Sequence, residues 1–210
     1  MAGRPIATVK HSTTERRFAL GTRRRVEELT REEMRRELLT SEVTGLPNRR
    51  AFEEAGPAPA VAMCDADGLK ALNDTYGYAA GDALLAVNAL AFKEAGLEAY
   101  HVQGDEFLCS GSDIKELQAG LERARRILRN NVITVACRDG GTLRFSGADF
   151  SYGTGRDLAE AELRLKKEKA WRKAQGELTR GELRGIKILE RPEEAVTNQQ
   201  LSLYLWPQET

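Results

Sequence analysis

Carboxylates in two short stretches are the residues of this chain with chemistry to offer. Asp65, with Asp67 two residues on, ends the run APAVAMCDAD (58–67), and Asp105 and Glu106 lie within AYHVQGDEFLCSG (99–111). In the second stretch two apolar runs flank Gln-Gly-Asp-Glu, which reads as a β-hairpin whose tight turn Gly104 makes easy. Taken alone, an acidic turn is simply solvated. A carboxylate at the end of a buried strand is different, because it faces the edge crevice where α/β sheets commonly bind ligands. With the hairpin beside that strand, Asp65 and Asp105 meet, and two carboxylates brought together without a partner repel. A divalent cation relieves the repulsion, and Mg2+ typically takes one or two carboxylates, waters and phosphate oxygens. The chemistry on offer is metal-dependent handling of a nucleotide.

The elements that must position these groups follow from periodicity and capping. After the strand at 58–67, LKALND makes one or two helical turns and AAGDALLAVNALAFKEAG a mostly apolar, buried helix. The hairpin comes next. SDIKELQAGLERARRILRNN then starts with helix-capping residues and ends in asparagines, VITVAC and TLRFSGADFSYGTG are strand-like around the turn RDGG, and RDLAEAELRLKKEKAWRKAQG is a helix closed by Gly176. This order predicts an α/β sandwich: a central mixed sheet with an antiparallel hairpin, flanked by helices. Upstream, residues 15–39 interleave arginines and glutamates around a sparse stripe of Phe18, Leu20, Val26, Leu29, Met34 and Leu38. That is a charged amphipathic helix, either a solvated connector or a self-associating one. Gly45 and Pro47 break it, and Asn48 can cap the next. Three segments result: a helical linker (1–39), a catalytic domain (40–178) and an extension with the strand-like pieces RGIKIL and LSLYLW (179–210).

Composition narrows the function classes. Over 210 residues, 41% hydrophobic content supports a real core, while 30% charge and the lack of a long apolar run point away from membrane and secretion. The net charge is zero, so no global field draws the chain to nucleic acid. Cys64, Cys109 and Cys137 stand singly in apolar stretches, as reduced core thiols of a cytoplasmic protein do, and two histidines make a zinc site a poor expectation.

DADGLKALNDTYGYAAGD followed by QGDEF resembles the GGDEF family, the diguanylate cyclases that make cyclic di-GMP from two GTP molecules. The resemblance opens at TGLPNRRAF, passes through FSYGTG, ends at AELRLKKEK and covers about residues 40 to 176. It implies the nucleotidyl-cyclase, palm-like fold and a set of roles. Asp65 and Asp105, with the main-chain carbonyl of Ala66, would hold Mg2+ or Mn2+, with two ions per site allowed. The peptide groups of Gly68 and Leu69, with Lys70, and the helical pair Lys169 and Lys173 would hold the triphosphate. Read without the resemblance, KKEKAWRK is a solvated helix face. Asn73 and Asp82 would read guanine, whose adjacent N1–H and N2–H2 donors suit a carboxylate; they also suit a helix end and a helix start. Glu106 would serve a second metal or activate the 3′-hydroxyl. Each domain binds one GTP, so catalysis implies a homodimer, at least transiently, with no membrane or nucleic-acid partner.

The chain departs from the family pattern at several points. Gln103 replaces the first glycine of the signature, His101 the usual arginine before it, and Tyr78 the histidine after Gly77. Glu162 and Lys166 replace an aspartate and a tyrosine of the lysine helix, and the link from Asp82 to the signature is about three residues short. The inhibitory Arg-x-x-Asp site is also missing: its place reads EAGL (94–97). The metal, guanine and phosphate residues are all retained, which favours an active cyclase. The alternatives are a catalytically silent GGDEF domain that regulates by binding GTP or a protein, and a related palm-type enzyme acting on another substrate.

Overall fold

The computed structural model describes residues 7–9, 29–136, 142–176, 185–190 and 203–207. Along the chain run β1 (Ala7–Val9), α1 (Arg31–Leu39), α2 (Arg49–Ala55), β2 (Ala60–Ala66), α3 (Leu69–Tyr76), α4 (Tyr78–Glu94), β3 (Glu98–Gln103), β4 (Glu106–Gly111), α5 (Ile114–Arg129), β5 (Asn131–Ala136), β6 (Thr142–Ser146), β7 (Phe150–Gly155), α6 (Leu158–Ala174), β8 (Lys187–Glu190) and β9 (Leu203–Pro207). No described helix is long and apolar enough to cross a membrane.

The site is built on a four-stranded sheet of order β3-β4-β2-β7. Every pairing among these strands is antiparallel. The α/β architecture is the one expected from sequence, with the parallel component of the sheet reduced to an isolated bridge between Asn48 and His101. The cause is topological: β3 runs parallel to β2, but hairpin partner β4 inserts between them, giving the split βαβ arrangement.

Side chains alternate across β2. Ala60, Ala62, Cys64 and Ala66 enter the core with Leu84, Val87 and Phe92 of α4 and Leu117, Leu121 and Leu128 of α5. Val61, Met63 and Asp65 face the other way and stand opposite Gly155, Gly153 and Ser151 of β7. Those two glycines seat α6: a Cβ at Gly153 would come within 2.2 Å of the Ala161 carbonyl oxygen and the Leu165 nitrogen, and one at Gly155 within 2.7 Å of the Ala161 nitrogen. Only bare backbone lets α6 lie this close, and its closeness carries Lys169 onto Asp65.

Capping sets the helix starts where the side chains supply it. Asn48 accepts from the Ala51 amide, Asp113 from those of Lys115 and Glu116, and Asp157 from that of Glu160. The same chemistry corrects the expected helix over 15–39. Thr30 is an extended N-cap closing a capping box with Glu33, so the described helix starts at Arg31 and has no buried residue. Residues 15–28, Cys137, the turn at 138–141 and the stretch 191–202 lie outside the described residues.

TLRFSGADFSYGTG is two strands in two sheets. It breaks at Gly147, whose φ is 77°, and β6 joins a second sheet of order β1-β9-β5-β6-β8. The pieces RGIKIL and LSLYLW supply β8 and β9, which pair with β6 and β5, and β1 pairs with β9.

Candidate active site

The carboxylates converge at one end of the four-stranded sheet. Asp65 sits directly opposite Glu106 in the β2–β4 register, and the Ala66 amide donates to the Asp105 carbonyl at 2.8 Å. Asp105 lies in the two-residue turn between β3 and β4, and its charge bears on Asp65. Asp65 is 8% exposed; its Oδ2 pairs with Lys169 Nζ, while its Oδ1 is buried with no hydrogen-bond partner.

Burial pushes the Asp65 carboxyl up to about 6, Asp105 and Asp67 add to the rise, and Lys169 opposes it. A group raised in the folded state stabilises the fold below its unfolded value and loses that contribution as pH climbs through its folded value. Ionised Asp65 therefore costs the metal-free fold roughly 2–3 kcal/mol above pH 6. Asp65→Asn, melted in EDTA, is expected to be more heat-stable than wild type at pH 7.5, the gain closing by pH 4. No gain at pH 7.5, or a gain undiminished at pH 4, would contradict this account of Asp65.

A carboxylate held at such cost, with one oxygen unsatisfied and two acidic neighbours, fits a divalent cation. Among the described residues no group of three or more His, Cys, Asp or Glu side chains is placed to hold a metal ion. A cation here would rest on Asp65, Asp105 and a main-chain carbonyl.

Two groups border this edge. At the start of α3, Gly68 is the N-cap and no side chain caps the helix, so its first amides remain for an anion. On α6, Lys169 at the acidic pair is followed one turn later by exposed Lys173. Lys70 is not brought in. Its ammonium bonds Asp74 at 2.6 Å on the solvent side of α3, with 81% of the side chain exposed, as i,i+4 pairing favours.

Asn73 of α3 lies against Gly81 of α4, the residue before Asp82. The Asn73 Oδ1 is buried without a hydrogen-bond partner, and a Cβ at Gly81 would come within 1.9 Å of it. Glycine at 81 is thus what lets the amide lie against α4 beside Asp82. The field of Asp82 reaches His101, whose imidazole burial holds below its usual range. His101 Nε2 donates to the Gly104 carbonyl at 3.0 Å and Nδ1 accepts from Ser41 Oγ at 2.7 Å, so the residue replacing the expected arginine braces the turn.

Sequence reasoning missed a cluster behind this edge. Asp67 is fully buried and bonded to Arg172 Nη1 at 2.7 Å, and Asp149 accepts from Arg129 at 2.6 Å and from Arg172 at 3.1 Å. The available signal was position: Asp67 directly follows the buried strand β2, and a carboxylate buried there needs a cation.

A family model, diguanylate cyclase GGDEF domain, matches residues 39–148. Diguanylate cyclase VdcA of Vibrio cholerae is 34% identical over 35% of this chain and 25% of its own. An uncharacterized protein in the hutH 5′ region of Streptomyces griseus is 43% identical over 26% of this chain and 27% of its own. The chain thus spans about a quarter of the length of these curated relatives. Among solved structures, diguanylate cyclase SiaD of Pseudomonas aeruginosa, in complex with its activator SiaC, superposes with TM-score 0.52 at 25% identity, covering 67% of this chain and 64% of that one. The coiled coil and GGDEF domain of DgcB from Caulobacter crescentus, in complex with c-di-GMP, shares the fold with TM-score 0.50 at 22% identity, covering 69% and 85%.

Proposed function

This chain belongs to the diguanylate cyclase GGDEF-domain family, and from that premise we propose that residues 40–178 condense two GTP molecules into cyclic di-GMP and pyrophosphate. The observation that carries the proposal is the unsatisfied, buried Asp65 Oδ1 beside Asp105, one strand end away from an uncapped helix start. Asp65, Asp105 and the Ala66 carbonyl hold the cation. Bound Mg2+ or Mn2+ supplies Lewis acidity to the attacking hydroxyl and the phosphoryl oxygens.

The remaining roles fall to this chain's own groups. The amides of Gly68 and Leu69 hold phosphate oxygens, and Lys169, released from Asp65, joins Lys173 on the terminal phosphates. Asn73 and Asp82 accept the guanine donors. The 3′-oxygen of one GTP attacks the α-phosphorus of the other, the bond to pyrophosphate breaks, and Glu106 accepts the hydroxyl proton. One chain holds one GTP, so two chains face each other in a homodimer, and the linker of residues 1–39 governs their encounter. Lys70, paired with Asp74 on the exposed side of α3, takes no part in holding the phosphates.

The test is to incubate purified protein with Mg2+ or Mn2+ and either GTP or ATP, and to identify products by mass. Cyclic di-GMP from GTP is expected; turnover of ATP comparable to that of GTP, or none of GTP, would reject the reading. Gln103 favours one second reading, a silent domain that binds GTP without turnover. It is exposed at the end of β3 beside a turn with open space around it, since a Cβ at Gly104 would meet nothing within 4 Å. On the active reading, the side chain slows catalysis without preventing it. Gln103→Gly is expected to raise kcat or lower the GTP KM several-fold, and an unchanged or lower kcat/KM would show the site adapted to glutamine.

A further inference from the structure

Behind the acidic edge, Asp67 differs from Asp65 in one respect: both of its oxygens are satisfied. Oδ1 accepts from Ser151 Oγ at 3.1 Å and Oδ2 from Arg172 Nη1 at 2.7 Å, while Arg172 Nη1 also donates to Ser151 Oγ at 2.9 Å. The second arm of the Arg172 fork reaches Asp149 Oδ2 at 3.1 Å, and the Asp67 amide donates to the Asp149 carbonyl at 3.0 Å. Arg129 and Arg125 of α5 pair with Asp149 too, and Arg125 also pairs with Glu168 of α6. The Asp67 and Arg172 side chains are 0% and 7% exposed.

We propose that Arg172 is a positioning residue for the metal–nucleotide site, its pair with Asp67 locking the strand end that bears Asp65 and Ala66 to the helix that bears Lys169 and Lys173. The inference rests on the reading of that edge as a metal–nucleotide site. Asp67 is the last residue before the Gly68 cap, so fixing it fixes the Ala66 carbonyl on one side and the α3 amides on the other. Arg172 lies three residues after Lys169 and one before Lys173. On a helix rising 1.5 Å per residue, fixing its guanidinium sets the height of both ammonium groups over the sheet. The two halves of the site come from segments about a hundred residues apart, and this pair joins them.

Stability alone does not call for such a pair. Removing two charges from water offsets most of their attraction, and apolar residues of similar volume commonly serve a fold as well. What a forked guanidinium adds is direction: planar donors aimed at two carboxylates in one geometry, which neither an apolar contact nor a lysine reproduces.

The test separates folding from positioning. Wild type, Asp67→Leu/Arg172→Met and Arg172→Lys are melted in EDTA and titrated calorimetrically with Mg2+ and a GTP analogue non-hydrolysable at the α,β bridge. The double variant, with no orphaned charge, is expected to melt within about 3 °C of wild type yet to bind the analogue at least roughly tenfold more weakly. Arg172→Lys, keeping the charge and losing the fork, is expected to fall between the two. Wild-type affinity in the double variant would overturn the inference. Should the double variant fail to fold, Arg172→Lys decides: weakened binding at an unchanged melting temperature supports the inference, and wild-type binding overturns it. If wild type itself binds no nucleotide, the proposed function fails and this inference with it, an outcome distinct from equal binding by all three.

Discussion

Asp105→Asn is expected to lower cyclic di-GMP formation by about a thousandfold while leaving the fold intact. Asparagine is at home in a tight turn, and the hydrogen bond that ties this turn to β2 runs from the Ala66 amide to the main-chain carbonyl of residue 105. What the substitution removes is one of two carboxylates proposed to hold the cation. A metal ion supplies several kcal/mol to the transition state, and about 4 kcal/mol is a factor of about a thousand in rate. The check is product formation under saturating GTP together with a thermal melt. A rate within tenfold of wild type would remove Asp105 from the metal set.

Asp82→Ala is expected to collapse the preference for GTP over ATP from about 10^4 to about 10^2 in kcat/KM, by weakening GTP and leaving ATP unchanged. The asymmetry follows from unpaired acceptors. Adenine leaves a carboxylate and a buried amide oxygen facing a ring without the donor pair they require, and such a site rejects the wrong base strongly. The Asn73 Oδ1, buried and without a hydrogen-bond partner, is half of the proposed acceptor set, and Gly81 makes room for it. With Asp82 removed, Asn73 retains part of the discrimination. Parallel kcat/KM measurements on both nucleotides decide it, and an equal loss on both would assign Asp82 to folding or to the phosphates instead.

The elements that carry the site were legible because their patterns are local. The alternation ending at Asp65, the Gly-Asp turn and the apolar run of α4 each read directly from a few residues, and Asn48, Asp113 and Asp157 cap where helix-start chemistry expects. Local signals also account for the break at Thr30 in the helix expected over 15–39. Its charge periodicity continues through Thr30, but a side-chain oxygen there, with Glu33 three residues on, satisfies the amides of a new helix start. What was not legible is non-local. Nothing near Asp67 names Arg172 as its partner 105 residues away, and nothing in RGIKIL or LSLYLW says that they pair with β6 and β5. Lys70 was assigned by its place in a pattern, and the carboxylate four residues on, Asp74, holds it at the surface. The nearness of Lys169 to Asp65 depends on Gly153 and Gly155, whose meaning appears only once a helix lies over them.

The central claim is that Asp65, Asp105 and the Ala66 carbonyl hold one divalent cation against a nucleoside triphosphate. Anomalous scattering from crystals grown with Mn2+ and a GTP analogue non-hydrolysable at the α,β bridge tests it most directly. The account predicts a Mn2+ peak bonded to both carboxylates and that carbonyl, at close to the roughly 2.1 Å that Mg2+ requires, with phosphate oxygens completing its shell. Nucleotide bound at this edge with Asp65 still paired to Lys169 and no metal between the carboxylates, or a Mn2+ peak elsewhere on the chain, would contradict it.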